Sequence, residues 1–234
     1  MKIILLSILL IYMSSLPALE IPTSKRFEKV YNRINTSLVE ELDSRNLLLG
    51  SEIFIRIFKQ EAELELWIEN SDKQFVLYKT YPICHYSGEL GPKQKEGDMQ
   101  SPEGFYFVSA KQLNPWSQYH LSFNLGYPNQ YERAKGYTGS ALMVHGDCVS
   151  IGCYAMTDEY IEEIYSIAYA ALKEGQPFFR VHAFPFRMTS DRMEAHDDSQ
   201  WYTFWQNLKQ GYDYFETRHK VPNVTVKHNK YYFN

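Results

Sequence analysis

Basic charge is in short supply in this chain of 234 residues. Lys and Arg number 24 against 28 Asp and Glu, a formal net charge of −4 at pH 7. No basic stripe is visible either, so nucleic-acid binding is set aside. Long apolar runs are also lacking. The one candidate, Ile3 to Met13, is too short to cross a bilayer comfortably. It follows Met1-Lys2 and precedes Ser14-Ser15-Leu16-Pro17-Ala18. It therefore reads as a secretory signal over residues 1–18 with cleavage after Ala18, an uncleaved anchor being the alternative. No cysteine follows the apolar core, so lipid attachment is not indicated. Paired Cys/His ligand spacing is missing, and neither a metal nor a cofactor is expected. Internal repeats and low-complexity segments are absent. What is left is enough chain for one sizeable domain with extensions, working outside the cytoplasm.

Aromatic residues, in contrast, are plentiful, with 19 Tyr and 14 Phe. From Pro22 to about Leu48, Phe27, Val30, Tyr31, Ile34, Leu38 and Leu42 recur at helical spacing behind a Ser24 cap, which predicts an amphipathic helix. Strands are expected at 53–58, 64–68, 75–78 (running on to Cys84) and 105–108. Between them lies a long polar loop, Ser87 to Pro102, of the kind that is usually functional. The stretch from Asn114 to Gly139 is irregular and carries Trp116, Tyr119, Phe123, Tyr127, Tyr131 and Tyr137. It would either wall a groove or staple a loop to the core. A strand at 178–184, a helix from Trp201 to about Arg218 and a short strand after Pro222 complete the pattern. The organisation expected is a signal segment 1–18, an N-terminal helical segment 19–49, a catalytic domain 50–190 and a helical extension 191–234.

The chemistry concentrates in one stretch. The apolar run 141–144 reads as a strand that ends at His145-Gly146. A loop then leads to Ser150-Ile151-Gly152-Cys153, and Thr157-Asp158-Glu159 opens a helix, a Thr cap with acidic residues in the first turn. A loop of this length lets His145 fold back within reach of the Cys153 sulfur, an arrangement suited to a cysteine nucleophile with a histidine base. The other histidines are read differently: His182 as a core residue, His196, His219 and His228 as surface, and His85 without a role. In an oxidising compartment an odd cysteine count means one bridge and one free thiol, or three free thiols. A Cys84–Cys148 bridge leaving Cys153 free is preferred, because a Cys148–Cys153 bridge would block the nucleophile.

Ser150-x-Gly152-Cys153 behind His145-Gly146 resembles the catalytic motif of the YkuD-type L,D-transpeptidases, in the form found in their YafK-like branch. Flanking blocks extend the resemblance: Leu90-Gly91-Pro92-Lys93 with Glu96-Gly97-Asp98, Pro102-Glu103-Gly104-Phe105-Tyr106, Asn124 to Asn129, and Phe179-Arg180-Val181-His182. The resemblance implies an α+β fold with a β-rich, sandwich-like catalytic core, flanked by an N-terminal helix, a helix after the nucleophile and a C-terminal helix. It implies Cys153 as nucleophile, His145 as base, Ser150 as the residue whose backbone carbonyl orients the histidine, and Gly152 as an oxyanion donor through its N–H. Its partners would be peptidoglycan stem peptides attacked at diaminopimelate, or peptidoglycan-attached lipoprotein, in the periplasm. Many members have His directly before Gly-Cys and Arg two residues after the Cys; here those positions hold Ile151 and Ala155. Arg133, Lys135, Arg180 and Arg187 are candidates to hold the substrate carboxylate, with Arg133 and Arg180 put forward. Three functions remain open: transpeptidase, a hydrolytic amidase that detaches lipoprotein, and a catalytically silent peptidoglycan-binding module. A redox or metal role for the three cysteines is a fourth.

Overall fold

The protein is described by a computed structural model over residues 20–234, so the expected signal segment 1–18 lies outside the described residues. Among the described residues no helix is long and apolar enough to cross a membrane. The fold is α+β. Among the described residues, twelve strands form two five-stranded sheets and a terminal hairpin. The first sheet holds β1 (Ile53–Phe58), β2 (Glu63–Glu69), β3 (Phe75–Pro82), β5 (Gly104–Val108) and β10 (Phe179–Phe184), in the order β3-β2-β1-β10-β5. The second is built from shorter pieces: β4 (His85–Tyr86), β6 (Leu113–Asn114), β7 (Ser122–Asn124), β8 (Met143–His145) and β9 (Tyr154–Ala155), in the order β4-β9-β8-β7-β6. The hairpin pairs β11 (Val224–Lys227) with β12 (Lys230–Phe233), where the sequence pattern gave one short strand.

Period-2 alternation explains how the first sheet is covered on both faces. Ile53, Ile55 and Ile57 of β1 and Phe179, Val181 and Ala183 of β10 join Phe123, Val144 and Tyr154 of the second sheet in one core. Helix α3 (Asp158–Lys173) packs against β1 of the first sheet and β7 and β8 of the second, so it fills the angle between them. Its start is the one expected, with Thr157 Oγ1 accepting from Tyr160 N. Helix α1 (Lys25–Asp43) lies on α3 through Phe27, whose ring meets Tyr165 and Tyr169. It is shorter than its hydrophobic period predicts. Asn46 takes a left-handed φ of 57° and Leu47 N–H closes back on Leu42 O at 3.0 Å, a Schellman-type stop that still buries Leu47.

The opposite face of the first sheet takes the C-terminal helix α5 (Tyr202–Arg218), with β11–β12 and the short helix α4 (Ser190–Glu194) beside it. Buried charge pins this docking. Arg56 on β1 is 2% exposed, lies within 5.2 Å of the ring centroids of Phe58, Trp67, Tyr212 and Phe215, and is ion-paired to Glu65 at 2.9 Å and to Glu216 at 2.5 Å. Lys59 is fully buried. Its ammonium donates to Glu103 Oε1 and to the carbonyls of Glu89, Gly91 and Ser101. Glu103 also accepts from Gly91 N–H and from Trp205 Nε1 on α5. Two charges this deep are tolerated because their donors and acceptors are met, and removing one leaves the other uncompensated. Lys59→Met is therefore expected to cost about 3–5 kcal/mol, read as a lowered urea midpoint, with Lys59→Met/Glu103→Gln recovering part of the loss. A single variant as stable as the parent would show that the pair holds nothing together.

Candidate active site

The site is set by a register. β8 and β9 run parallel, with Val144 opposite Tyr154 and His145 opposite Ala155. One step earlier Met143 comes opposite Cys153, and Met143 N–H points at Cys153 Sγ at 3.4 Å. Cys153 immediately precedes β9, so this pairing sets it beside β8 two residues from His145, roughly 8 Å between Cα positions from strand spacing and rise. The connecting loop, 146–152, must turn back on itself within a few residues. Gly146 fits where a Cβ would come within 2.4 Å of Asp158 Oδ1, and the same Asp158 oxygen accepts Asp147 N–H at 2.9 Å. Asp147 and Cys148 have φ of 69° and 48°, and Gly152 has φ of 138°, which favours glycine. Cys148 is bonded to Cys84, with Cα atoms 5.2 Å apart, and both are exposed. Cys153 is the free thiol, half-buried.

Three serines fix the backbone at Cys153. Its carbonyl accepts from Ser150 Oγ at 2.8 Å and Ser101 Oγ at 3.0 Å. Ser87 Oγ is 2.9 Å from Ser150 Oγ, and Ser87 N–H donates to Ser101 Oγ at 3.1 Å. Ser87 and Ser101 bracket the long polar loop, which the Lys59–Glu103 pair anchors from below. The histidine is fixed from the other side. Its Nδ1 meets Gly146 O at 2.6 Å, and the Tyr119 ring lies 4.7 Å away at 34° to the imidazole. The Tyr119 loop is itself braced by α1, through Arg26 Nη1 on the Ser117 and His120 carbonyls and Ser24 Oγ on Pro115 O. With Nδ1–H donated, Nε2 is left as the acceptor.

Residues 53–179, just over half the chain, match the family described as YkuD, L,D-transpeptidase catalytic domain. The chain belongs to the YkuD family. Over 184 residues it is 51% identical to "Putative L,D-transpeptidase YafK" of Escherichia coli K12, covering 79% of this chain and 74% of that protein, and it matches the O157:H7 protein of the same name equally. Among solved structures it aligns with the helical cell shape determining protein Pgp2 of Campylobacter jejuni at 17% identity and a TM-score of 0.48, over 82% of this chain and 80% of that one.

Within this YkuD domain the resting site is electrically quiet. Burial pushes the Cys153 thiol up, against the opposing pull of Met143 N–H and the Lys93 charge. Burial likewise pushes the His145 imidazole down, against the Gly146 carbonyl and the Asp147 charge. The pair rests as thiol and neutral imidazole.

Several sequence expectations need correcting. The carbonyl at His145 Nδ1 belongs to Gly146, not Ser150; Ser150 works through its hydroxyl, which also accepts from Gly152 N–H at 3.1 Å. Arg133 is exposed and turned to the Pro128 carbonyl of its own loop, at the end of helix α2 (Gln130–Ala134). Arg180 is held by the C-terminal tail, through Pro222 O at 2.7 Å and Asn223 Oδ1 at 2.8 Å. Arg187 is engaged by Glu63 and Glu65, and Lys135 is exposed over the Tyr131 ring. None of the four shares a hydrogen-bond partner with Cys153. The aromatic stretch divides: Phe123, Tyr127 and Tyr131 are buried, while Trp116 and Tyr119 are exposed. His196 is half-buried and stacks on Phe186 at 4.4 Å instead of lying at the surface. His182 is buried as expected. Ser87, Ser101, Lys93 and Tyr119 were not singled out for the site. Of these, Lys93 lies within one of the blocks that extend the family resemblance, and Ser101 adjoins another.

The disulfide closes a loop of sequence separation 64 around this machinery. Cys84→Ser/Cys148→Ser is expected to lower unfolding free energy by about 2–4 kcal/mol in chemical denaturation. An unchanged midpoint would mean that the Asp158 and serine contacts hold the loop unaided.

Proposed function

We propose that the protein is a cysteine acyl-transfer enzyme of the cell envelope that acts on peptidoglycan stem peptides at diaminopimelate. The observation that carries the reading is the β8–β9 pairing, which sets Cys153, the free thiol, against Met143 N–H two residues from His145, with its Nε2 left as acceptor. Family membership and the YafK relative support a peptidoglycan-related role. An exposed disulfide is at home in an oxidising compartment and, with the sequence of residues 1–18, supports the periplasm.

In this reading His145 Nε2 takes the proton from Cys153 Sγ, and the sulfur attacks the carbonyl carbon at the L-centre of diaminopimelate. The amide C–N bond breaks as His145 returns the proton to the leaving amine, and a thioester remains on Cys153. An amine or water then takes the acyl group. The oxyanion is received by backbone N–H groups at Gly152 and Cys153, at about 3 kcal/mol per donor. For Gly152 this requires its N–H to turn from Ser150 Oγ. The acceptor decides between crosslinking, lipoprotein attachment, trimming and lipoprotein release.

Cys153→Ala should abolish turnover of purified tetrapeptide and lipoprotein-linked muropeptides while thermal unfolding stays unchanged. Product masses with and without an amine acceptor then assign the acceptor. Turnover retained by Cys153→Ala would sink the proposal, and a silent binding module would show none in the parent.

The pH dependence follows from the two shifts. The working form is thiol with neutral imidazole. Its acid limb comes from protonation of His145, held below the ordinary 6.5, and its alkaline limb from loss of the thiol proton, held above the ordinary 9.0. So kcat/KM should stay level across roughly pH 7 to 8.5 and fall only outside it. A limb centred inside that window would contradict this assignment of base and nucleophile.

A further inference from the structure

We propose that Lys93 is the cation that takes up the negative charge developing on Cys153 Sγ as its proton leaves. The inference rests on the acyl-transfer reading for its consequence and deepens it. Geometry carries it in two steps. Lys93 and Cys153 lean on the same short stretch of backbone. The Lys93 side chain lies against Gly139, where an added Cβ would come within 2.9 Å of Lys93 Cε. Cys153 Sγ meets Met143 N–H at 3.4 Å and the Ala141 carbonyl at 3.7 Å. The second step is that the Lys93 ammonium is buried beside this wall, paired with Asp98. Its side chain is 5% exposed, and its ammonium donates to Lys95 O at 2.8 Å and to Asp98 Oδ1. Asp98 does not depend on that contact alone. It also accepts three backbone N–H groups, from Gln94 and Lys95 at 2.9 Å and from Gln100 at 3.1 Å. The loop 93–100 is thus closed on the Asp98 carboxylate, which shares its acceptor capacity between Lys93 and three backbone donors.

The site needs such a charge. Ala155 is fully buried between β8 and β4, so its position offers none. Arg133 and Arg180 are engaged elsewhere. The titratable and charged groups about the sulfur and this lysine are His145 from β8, Asp147 from its loop, Asp98, Tyr119 over the imidazole, and Tyr127, whose hydroxyl donates to Lys93 O at 3.0 Å. None of these is a cation in the resting site, and the Lys93 charge opposes the effect of burial on the thiol. In the step itself the S–H bond breaks, the proton goes to His145 Nε2, the electron pair stays on sulfur, and Lys93 keeps its own proton throughout.

Alkylation of the folded, disulfide-bonded protein by iodoacetamide reads this directly, because Cys153 is its free thiol. The rate is followed against pH. Lys93→Met should move the midpoint of the profile upward by about one unit, a roughly tenfold slower reaction on the rising limb. Lys93→Arg should stay near the parent. Asp98→Asn, which removes the counter-charge and keeps an oxygen for the backbone donors, should move the midpoint downward. Opposite signs are the signature of charge, since loosening the loop would move both the same way. Equal midpoints for Lys93→Met and the parent, or shifts of one sign for Lys93→Met and Asp98→Asn, would overturn the proposal. If Lys93→Met does not fold, a downward shift in Asp98→Asn beside a parent-like Lys93→Arg supports it, and an unmoved Asp98→Asn overturns it. No substrate is involved, so failure of the peptidoglycan reading, seen as absent turnover in the parent, is distinguishable from failure of this one.

Discussion

Everything at the site depends on the parallel pairing of β8 with β9, two strands of three and two residues. Parallel neighbours are ordinarily joined by a long crossover, because the chain must travel back the length of a strand before it can pair again. Here the strands are so short that a tight loop suffices. The cost appears as left-handed backbone at Asp147 and Cys148 and a glycine at 152. The return is a fixed offset between a histidine at the end of one strand and a cysteine at the start of the next. A slip of one residue would take Cys153 Sγ off Met143 N–H and change its offset from His145. The disulfide, the Asp158 carboxylate and the three serine hydroxyls all act on that loop or on the Cys153 carbonyl, and so all protect the register.

That register is supported from far away in sequence. Ser101 reaches the Cys153 carbonyl from a loop whose own carbonyls are gathered by the buried Lys59 ammonium, and Glu103 passes the tie to Trp205 on α5. The C-terminal extension is therefore coupled to the site through one chain of hydrogen bonds in a region from which water is excluded. On the other side α1 braces the Tyr119 loop over the imidazole. A short, loop-rich second sheet gains from its longer neighbours the rigidity that its own few backbone bonds do not supply.

The sequence was most legible where one rule governs many residues. Short apolar runs placed β1 and β10, alternation placed β2, and the Thr157 cap placed α3, because burial and capping act locally. The helix over 25–43 was overrun at its end because Leu47 keeps the apolar spacing after Asn46 has already turned the chain. Ser87 and Ser101, fourteen residues apart on a polar loop, carry no periodicity; they meet only because a buried ion pair folds that loop. Arg180 was drawn toward the site by its charge, yet β10 lies in the other sheet and points that arginine at the chain's own tail. His182 was legible as core, since a histidine within an aromatic strand has rings for neighbours, here Phe54 and Phe105 at 4.6 Å.

The two burial effects on Cys153 and His145 have a common consequence. A pre-formed thiolate–imidazolium pair would be ready to react but would pay desolvation for two charges at all times. With both partners neutral at rest, charge would appear only during the proposed proton transfer. Donors fixed in advance add nothing to the resting energy of a neutral pair yet act fully on a charged one. The Met143 N–H aimed at Sγ is one such donor, held by the same β8 backbone that carries His145. Placing the N–H donor to Sγ and the proposed base two residues apart on β8 makes their relative geometry a property of the sheet, which is why the register has so many guards.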